Sequence, residues 1–345
     1  TRVRPGAEGC VSAGNEVRAV GQGDDSKALQ AQSTGVIDGA GASVLPGFND
    51  GHVHLVAGAG GLGNLELSDV HGLDALTAAA REFAATRPDD PLLTGQSAHY
   101  TILSDTERLT RQHLDQVIAD RPFIVVAADH HTVSANTAAP AKAGILRGKK
   151  VGPGNEIVMG TDGLATGELR ESEAFNPVYA LDTAGMRTRL GLETGGEPDP
   201  TPSPAERSRD RDIMRRGLAH CARHGVTSVQ NMDGNLYQLE LLDEIDKEEG
   251  LSLRVRVPFH FKNFMEPDVL DKAEHMARTY TSERLRSGFV KFFMDGVIDS
   301  WTAVMLDDYP GKPGWRGDPL FAPTLFAELA TDIDRRGLQL AVHAL

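Results

Sequence analysis

Leu45-Pro46-Gly47-Phe48-Asn49-Asp50-Gly51-His52-Val53-His54 is the stretch that decides how this chain is read. Pro46-Gly47 is a turn pair that delivers the next segment abruptly. That segment reads as a buried strand closing on two histidines spaced i, i+2. Alternate side chains of a strand share a face, so His52 and His54 point together and Val53 points away. Two imidazoles aimed at one point make half of a metal site; the plainer alternative is two polar residues at a strand end. Gly58, Gly60, Gly61 and Gly63 follow and read as a flexible exit from the strand. They lack the Lys-Ser/Thr of a phosphate loop and the context of a dinucleotide site.

Downstream, the pattern becomes regular. Helices are expected over 212–224, 236–248, 267–281 and 323–336, with Gly225, Gly250 and Gly337 closing three of them. Strands are expected between them, over 226–231, 253–260, 288–294 and 338–343. Strand, helix, strand at this spacing means βαβ units and a parallel sheet. With the strand before His52 there are five. A (β/α)8 barrel needs eight, so the fold class is α/β, a TIM-type barrel of which five strands are present.

Between the first strand and this array, the spacing predicts a helix near 73–86 and strands near 91–94 and 123–128. Thr110 is the expected N-cap of a short helix. Residues 185–210 are rich in Gly and Pro and mark the expected internal boundary. Residues 1–43 read as a small β-rich lobe, with short strands expected at Val17–Gly21 and Gly35–Asp38.

The net charge of −14 argues against nucleic acid and anionic membrane as partners. No apolar run approaches the roughly 18 residues of a membrane span. Cys10 and Cys221 form neither a CxxC pair nor a disulfide framework, and no signal segment opens the chain. The expected location is the cytoplasm.

Catalytic groups of a parallel barrel sit at the C-terminal ends of its strands. Those ends carry His52 and His54, then Gln230, Asn231 and Asp233, then His260, then Lys291, then His343. A lysine inside an apolar strand is expensive to bury as ammonium. Lys291 either reaches solvent, pairs with a carboxylate such as Asp295, or stays neutral and captures carbon dioxide. The resulting carbamate could bridge two metal ions roughly 3.5–4 Å apart. His220 and His224, i and i+4 on a helix, read as a solvated face, because Cys221 stands where a zinc-protease helix carries glutamate.

The Leu-Pro-Gly-Phe-x-Asp-Gly-His-x-His stretch resembles the strand-one signature of the amidohydrolase superfamily. Val290-Lys291-Phe292 with Asp295-Gly296, then Thr302-Ala303 and Tyr309, resembles the branch that contains N-substituted formamide deformylases. Asp129-x-His131-x-x-x-x-Asn136, Thr166-Gly167-x-Leu169-x-Glu171 and Ala341-Val342-His343-Ala344 are similar to further segments of that branch. The resemblance covers roughly residues 44–345.

It implies a (β/α)8 barrel with a small lobe, residues 1–43 being a remnant of a β-sandwich. The barrel would take 44–345, with 57–210 inserted after strand one. It implies one or two Zn2+ ions held by His52, His54, carboxylated Lys291 and His343. His131 and Asp295 would meet substrate. The strand-six histidine has no counterpart here, and the general base, an aspartate of strand eight, would lie beyond Leu345. The implied activity is hydrolysis of a non-peptide carbon–nitrogen bond in a small-molecule amide, through a metal-bound hydroxide. The alternatives are a cyclic amide or ester hydrolase on the same scaffold, or a truncated barrel that binds metal weakly and turns nothing over. A homodimer is the expectation for assembly.

Overall fold

The computed structural model describes residues 6–14, 16–152, 155–181, 197–198, 201–296, 298 and 301–345. The chain divides into two compact units, Thr1–Pro46 and Gly47–Leu345. In the first, β1 (Gly9–Ala13) and β2 (Glu16–Gly21) form an antiparallel pair, followed by α1 (Gly23–Lys27). The strand expected at Gly35–Asp38 does not form. Ile37 is 95% exposed, so the segment has no buried face to hold it in a sheet.

The second unit opens with β3 (Phe48–Val53) and α2 (Leu55–Gly61). The glycine-rich exit expected as a loop is therefore largely helical. Leu55, Val56 and Ala59 are buried, and burying that face outweighs the poor helix propensity of glycine. Next come β4 (Leu65–Glu66), α3 (Leu73–Ala85), β5 (Leu93–Ala98), α4 (Arg111–Val117), β6 (Phe123–Ala127), β7 (Thr132–Ala135), α5 (Ala138–Lys142), β8 (Glu156–Met159), β9 (Ala165–Arg170) and α6 (Ser172–Tyr179). Their strands build one mixed sheet in the order β4-β5-β6-β7-β9-β8. It is parallel through β4, β5 and β6, then antiparallel. Buried clusters around Ile124, Val133 and Leu169, and around Leu76, Leu114 and Phe123, hold its helices to it.

α7 (Pro204–Arg223) starts earlier than its apolar periodicity suggests. Ser203 and Glu206 form a reciprocal capping box and Pro204 takes the first turn, so the helix is initiated inside the expected boundary segment. Residues 182–196 and 199–200 of that segment lie outside the described residues. Then follow β10 (Val226–Asn231), α8 (Leu236–Glu249), β11 (Arg254–Arg256), β12 (Phe259–His260), a 3-10 turn at Pro267–Val269, α9 (Leu270–Thr279), β13 (Leu285–Arg286), β14 (Phe289–Phe293), α10 (Pro323–Arg335) and β15 (Gln339–His343). Pro258, with no N–H to give a ladder, splits the expected 253–260 strand into β11 and β12. Gly288, at φ +124°, separates β13 from β14.

The resulting ladders are β3-β10-β11-β13 and β12-β14-β15, and every pairing in them is parallel. Five strand tracks thus lie side by side in sequence order. The core between them and their helices includes Leu239, Val255, Val257, Phe261, Val290 and Phe292. Arg207, Arg211 and Arg215, one turn apart on α7, pair with Glu240, Glu244, Glu248 and Glu249 of α8. Among the described residues no helix is long and apolar enough to cross a membrane.

Candidate active site

β3 delivers His52 and His54 to its C-terminal end, with ring centroids 5.5 Å apart. Buried Asn231 fixes the turn that follows. Its side-chain oxygen accepts the backbone N–H of Leu55, and its amide donates to Gln238 Oε1. Asn231 also donates to the carbonyl of Asp233, placing that carboxylate where it bonds His54 Nδ1. The bond to Asp233 raises the His54 pKa against the opposing effect of burial. Burial is the largest single influence on Asp233 and would push it up; the bond to His54 and the neighbouring positive charges together outweigh it and hold the carboxyl below its usual range.

His260, at the end of β12, is 2% exposed. Neither of its ring nitrogens has a hydrogen-bond partner among the described residues. Its Nδ1 lies 3.9 Å from Asp233 Oδ1. Burial, helped by the Lys262 charge, pushes its pKa down to about 3, so the ring is neutral. Register places His260 beside Lys291, and Phe293 beside His343. The Phe293 ring is common to all of them. It lies 5.1 Å from the His260 ring, 5.0 Å from the His343 ring and 4.8 Å from Lys291 Nζ.

Lys291 is 2% exposed and makes no ion pair or hydrogen bond with the described residues. Burial lowers its pKa, and the Asp233 charge opposes this. His52 sits below the ordinary 6.5 through burial and through the charges of Lys291, His54 and His343. His343 Nε2 lies 2.8 Å from the carbonyl oxygen of Gly296. A carbonyl only accepts, so Nε2 carries the hydrogen and Nδ1 is the ring nitrogen outside that contact.

Thus contacts run from His52 through His54, Asp233 and His260 to Phe293, Lys291 and His343. Among the described residues no three His, Cys, Asp or Glu side chains form a ready-made metal cluster. The fit to a metal rests on the donors themselves. His54 and His343 each engage one ring nitrogen with a carboxylate or carbonyl, the arrangement that orients metal-ligating imidazoles. His260 is buried with both ring nitrogens unengaged, and Lys291 is buried with its Nζ over the Phe293 ring.

The other two expected site residues engage partners of their own. Asp295 is buried, and its carboxylate accepts the backbone N–H groups of Val304 and Leu345. It ties the loop after β14 to the end of β15. His131 immediately precedes β7 of the mixed sheet, and its Nδ1 lies 3.0 Å from Glu171 Oε1. This contact joins the Asp129–Asn136 and Thr166–Glu171 motifs. Asp233 and His260 stood at strand ends in the sequence without an assigned role. A carboxylate two residues past a strand end, on the strand beside paired histidines, was the available signal for Asp233.

A sequence profile described as the amidohydrolase family matches residues 35–345. This chain belongs to that family. It is 23% identical over 305 residues to YtcJ of Bacillus subtilis (strain 168), covering 88% of this chain and 53% of YtcJ. It is 23% identical over 345 residues to the N-substituted formamide deformylase of Arthrobacter pascens, covering 98% of this chain and 60% of that enzyme. Among solved structures, a protein of Pyrococcus horikoshii OT3 described as an uncharacterized metal-dependent hydrolase superposes with a TM-score of 0.62 at 19% identity. The match covers 97% of this chain and 61% of that one. The chain therefore spans between half and two thirds of the length of these relatives.

Proposed function

We propose that this chain forms five strands of a (β/α)8 TIM-type barrel in a zinc-dependent amidohydrolase. The enzyme hydrolyses a non-peptide carbon–nitrogen bond of a small molecule. Residues 1–43 are read as part of a β-sandwich lobe and 57–210 as an insertion after strand one. The observation that carries the proposal is a buried, unpaired Lys291 among imidazoles whose spare nitrogens are already oriented by Asp233 and Gly296.

His52, His54, Lys291 and His343 would hold the metal, with His260 as a further neutral donor. A bound zinc ion supplies a Lewis acid that polarises an amide carbonyl and acidifies water. Burial favours the neutral amine of Lys291. That amine can add carbon dioxide, forming an N–C bond and releasing one proton, and so present a carboxylate. Asp233 holds His54 in a fixed orientation. His131, braced by Glu171, contacts substrate, and Asp295 acts through the loop it fixes. Both cysteines are free, which supports a reducing, cytoplasmic setting.

The test is metal content of the purified chain by mass spectrometry, with amine release from an N-substituted formamide. We expect near-stoichiometric zinc in the unaltered chain and its loss in Lys291→Ala. A chain that takes up no zinc even when supplied with it overturns the reading. Zinc retained without turnover supports a second reading, a metal-binding scaffold, which the absence of a preassembled cluster among the described residues favours.

A further inference from the structure

The mixed sheet carries a pocket of its own, to which none of the five parallel strand tracks contributes. Its floor is one face of the sheet. Val125 pairs with Ser134, and Ser134 with Glu168, so these three side chains form a row across β6, β7 and β9. Its roof is the 99–109 segment, with Tyr100, Arg108 and Leu109. The pocket measures about 380 Å³ counted to its open mouth.

The charges here are unevenly satisfied. Tyr100 donates its hydroxyl hydrogen to Asp129 and accepts one from the Thr132 hydroxyl, so the phenol is fixed. Glu168 Oε1 takes Arg170, but Arg170 also serves Glu156, so one cation answers two carboxylates. Glu168 Oε2 and the Ser134 hydroxyl have no hydrogen-bond partner among the described residues. Arg108 makes no ion pair with them either; its guanidinium rests over the Tyr100 ring at 4.9 Å. Arg108 and Glu168 thus line one pocket from roof and floor without bridging each other. A cation and an anion held apart over an apolar patch match a molecule that carries both charges and an apolar group.

We propose that this pocket binds a free zwitterionic α-amino acid with an apolar side chain. Its carboxylate meets Arg108, which can present two parallel N–H donors. Its ammonium meets Glu168 Oε2 and the Ser134 hydroxyl. Its side chain lies against Val125 and Leu109. This site is independent of the hydrolase reading, because it uses different residues and needs no metal.

Calorimetric titration of the full chain tests it with three probes: L-leucine, 4-methylpentanoate and 3-methylbutylamine. The second lacks the ammonium and the third lacks the carboxylate. We expect saturable leucine binding, with each single-charge probe about ten-fold weaker or more. Arg108→Gln should weaken leucine and the acid while sparing the amine. Glu168→Gln should weaken leucine and the amine while sparing the acid. The probe series on the unaltered chain decides the matter alone if either variant fails to fold. Leucine binding no tighter than both single-charge probes overturns the proposal, as does no saturable leucine binding in the millimolar range.

Discussion

Glu171 holds its backbone at φ +62° and ψ +167°, a region used almost only by glycine. It does so while capping α6 and bracing His131 through its carboxylate. Strain of this kind persists only where the surroundings over-determine it. The two roles can be separated by substitution. Glu171→Ala and Glu171→Gly both remove the carboxylate, but only glycine relaxes the backbone. Chemical denaturation should therefore find Glu171→Gly more stable than Glu171→Ala by about 1 kcal/mol or more. Equal stabilities would show that the backbone at this position carries no strain. The residues of the candidate site were unequally legible. Lys291 announces itself because a lysine in an apolar strand is unusual, and His52 and His54 by their i, i+2 spacing at the end of β3, which is exposed from Phe48 to His52 rather than buried as its lead-in suggests. Asp233 does not, because an aspartate after a strand is ordinary turn chemistry until the fold sets it against His54. Strain at Glu171 leaves no mark in the sequence at all.

Among the elements, α2 positions the paired histidines most directly, since it begins at the residue after His54. It packs on α7 where Gly217 faces Ala59 and Leu55. A Cβ at position 217 would stand 2.6 Å from Ala59 Cβ. Glycine there is what allows the two helices to approach. Gly217→Val should destabilise the chain by about 1–3 kcal/mol through overpacking, read as a lowered denaturation midpoint. An unchanged midpoint would mean the helices can separate freely. The helices and strands of the parallel array are legible because apolar period and capping agree, as at β10, where expected and observed limits coincide. The mixed sheet is less so. β7 and β9 alternate buried residues with Thr, Ser and Glu, and four to six residues of that pattern do not stand out from loop. The helical state of α2 is not legible in the sequence, because glycine propensity is visible there and tertiary burial is not.

At the scale of the molecule, the five parallel tracks end at β3 on one side and β15 on the other, each paired on one edge only among the described residues. Phe48 on β3 is 62% exposed and Val342 on β15 is 41% exposed. Open parallel edges with apolar side chains favour pairing with other chains. Produced as residues 1–345 alone, the protein should associate with rising concentration in sedimentation velocity. Phe48→Lys should reduce that association; a monomer at every concentration would show the edges to be inert. The strand count and order behind this prediction were legible from hydrophobic rhythm. Which edges stand open depends on pairing, and pairing is a property of the folded chain.

Phe293 brings the scales together. Lys291, His260 and His343 arrive on three different strand tracks and lean on the same benzene ring. They share one mechanical reference, so none can be repositioned during divergence without shifting the other two. Evolution of this pocket is constrained to move in concert or to abandon the ring altogether.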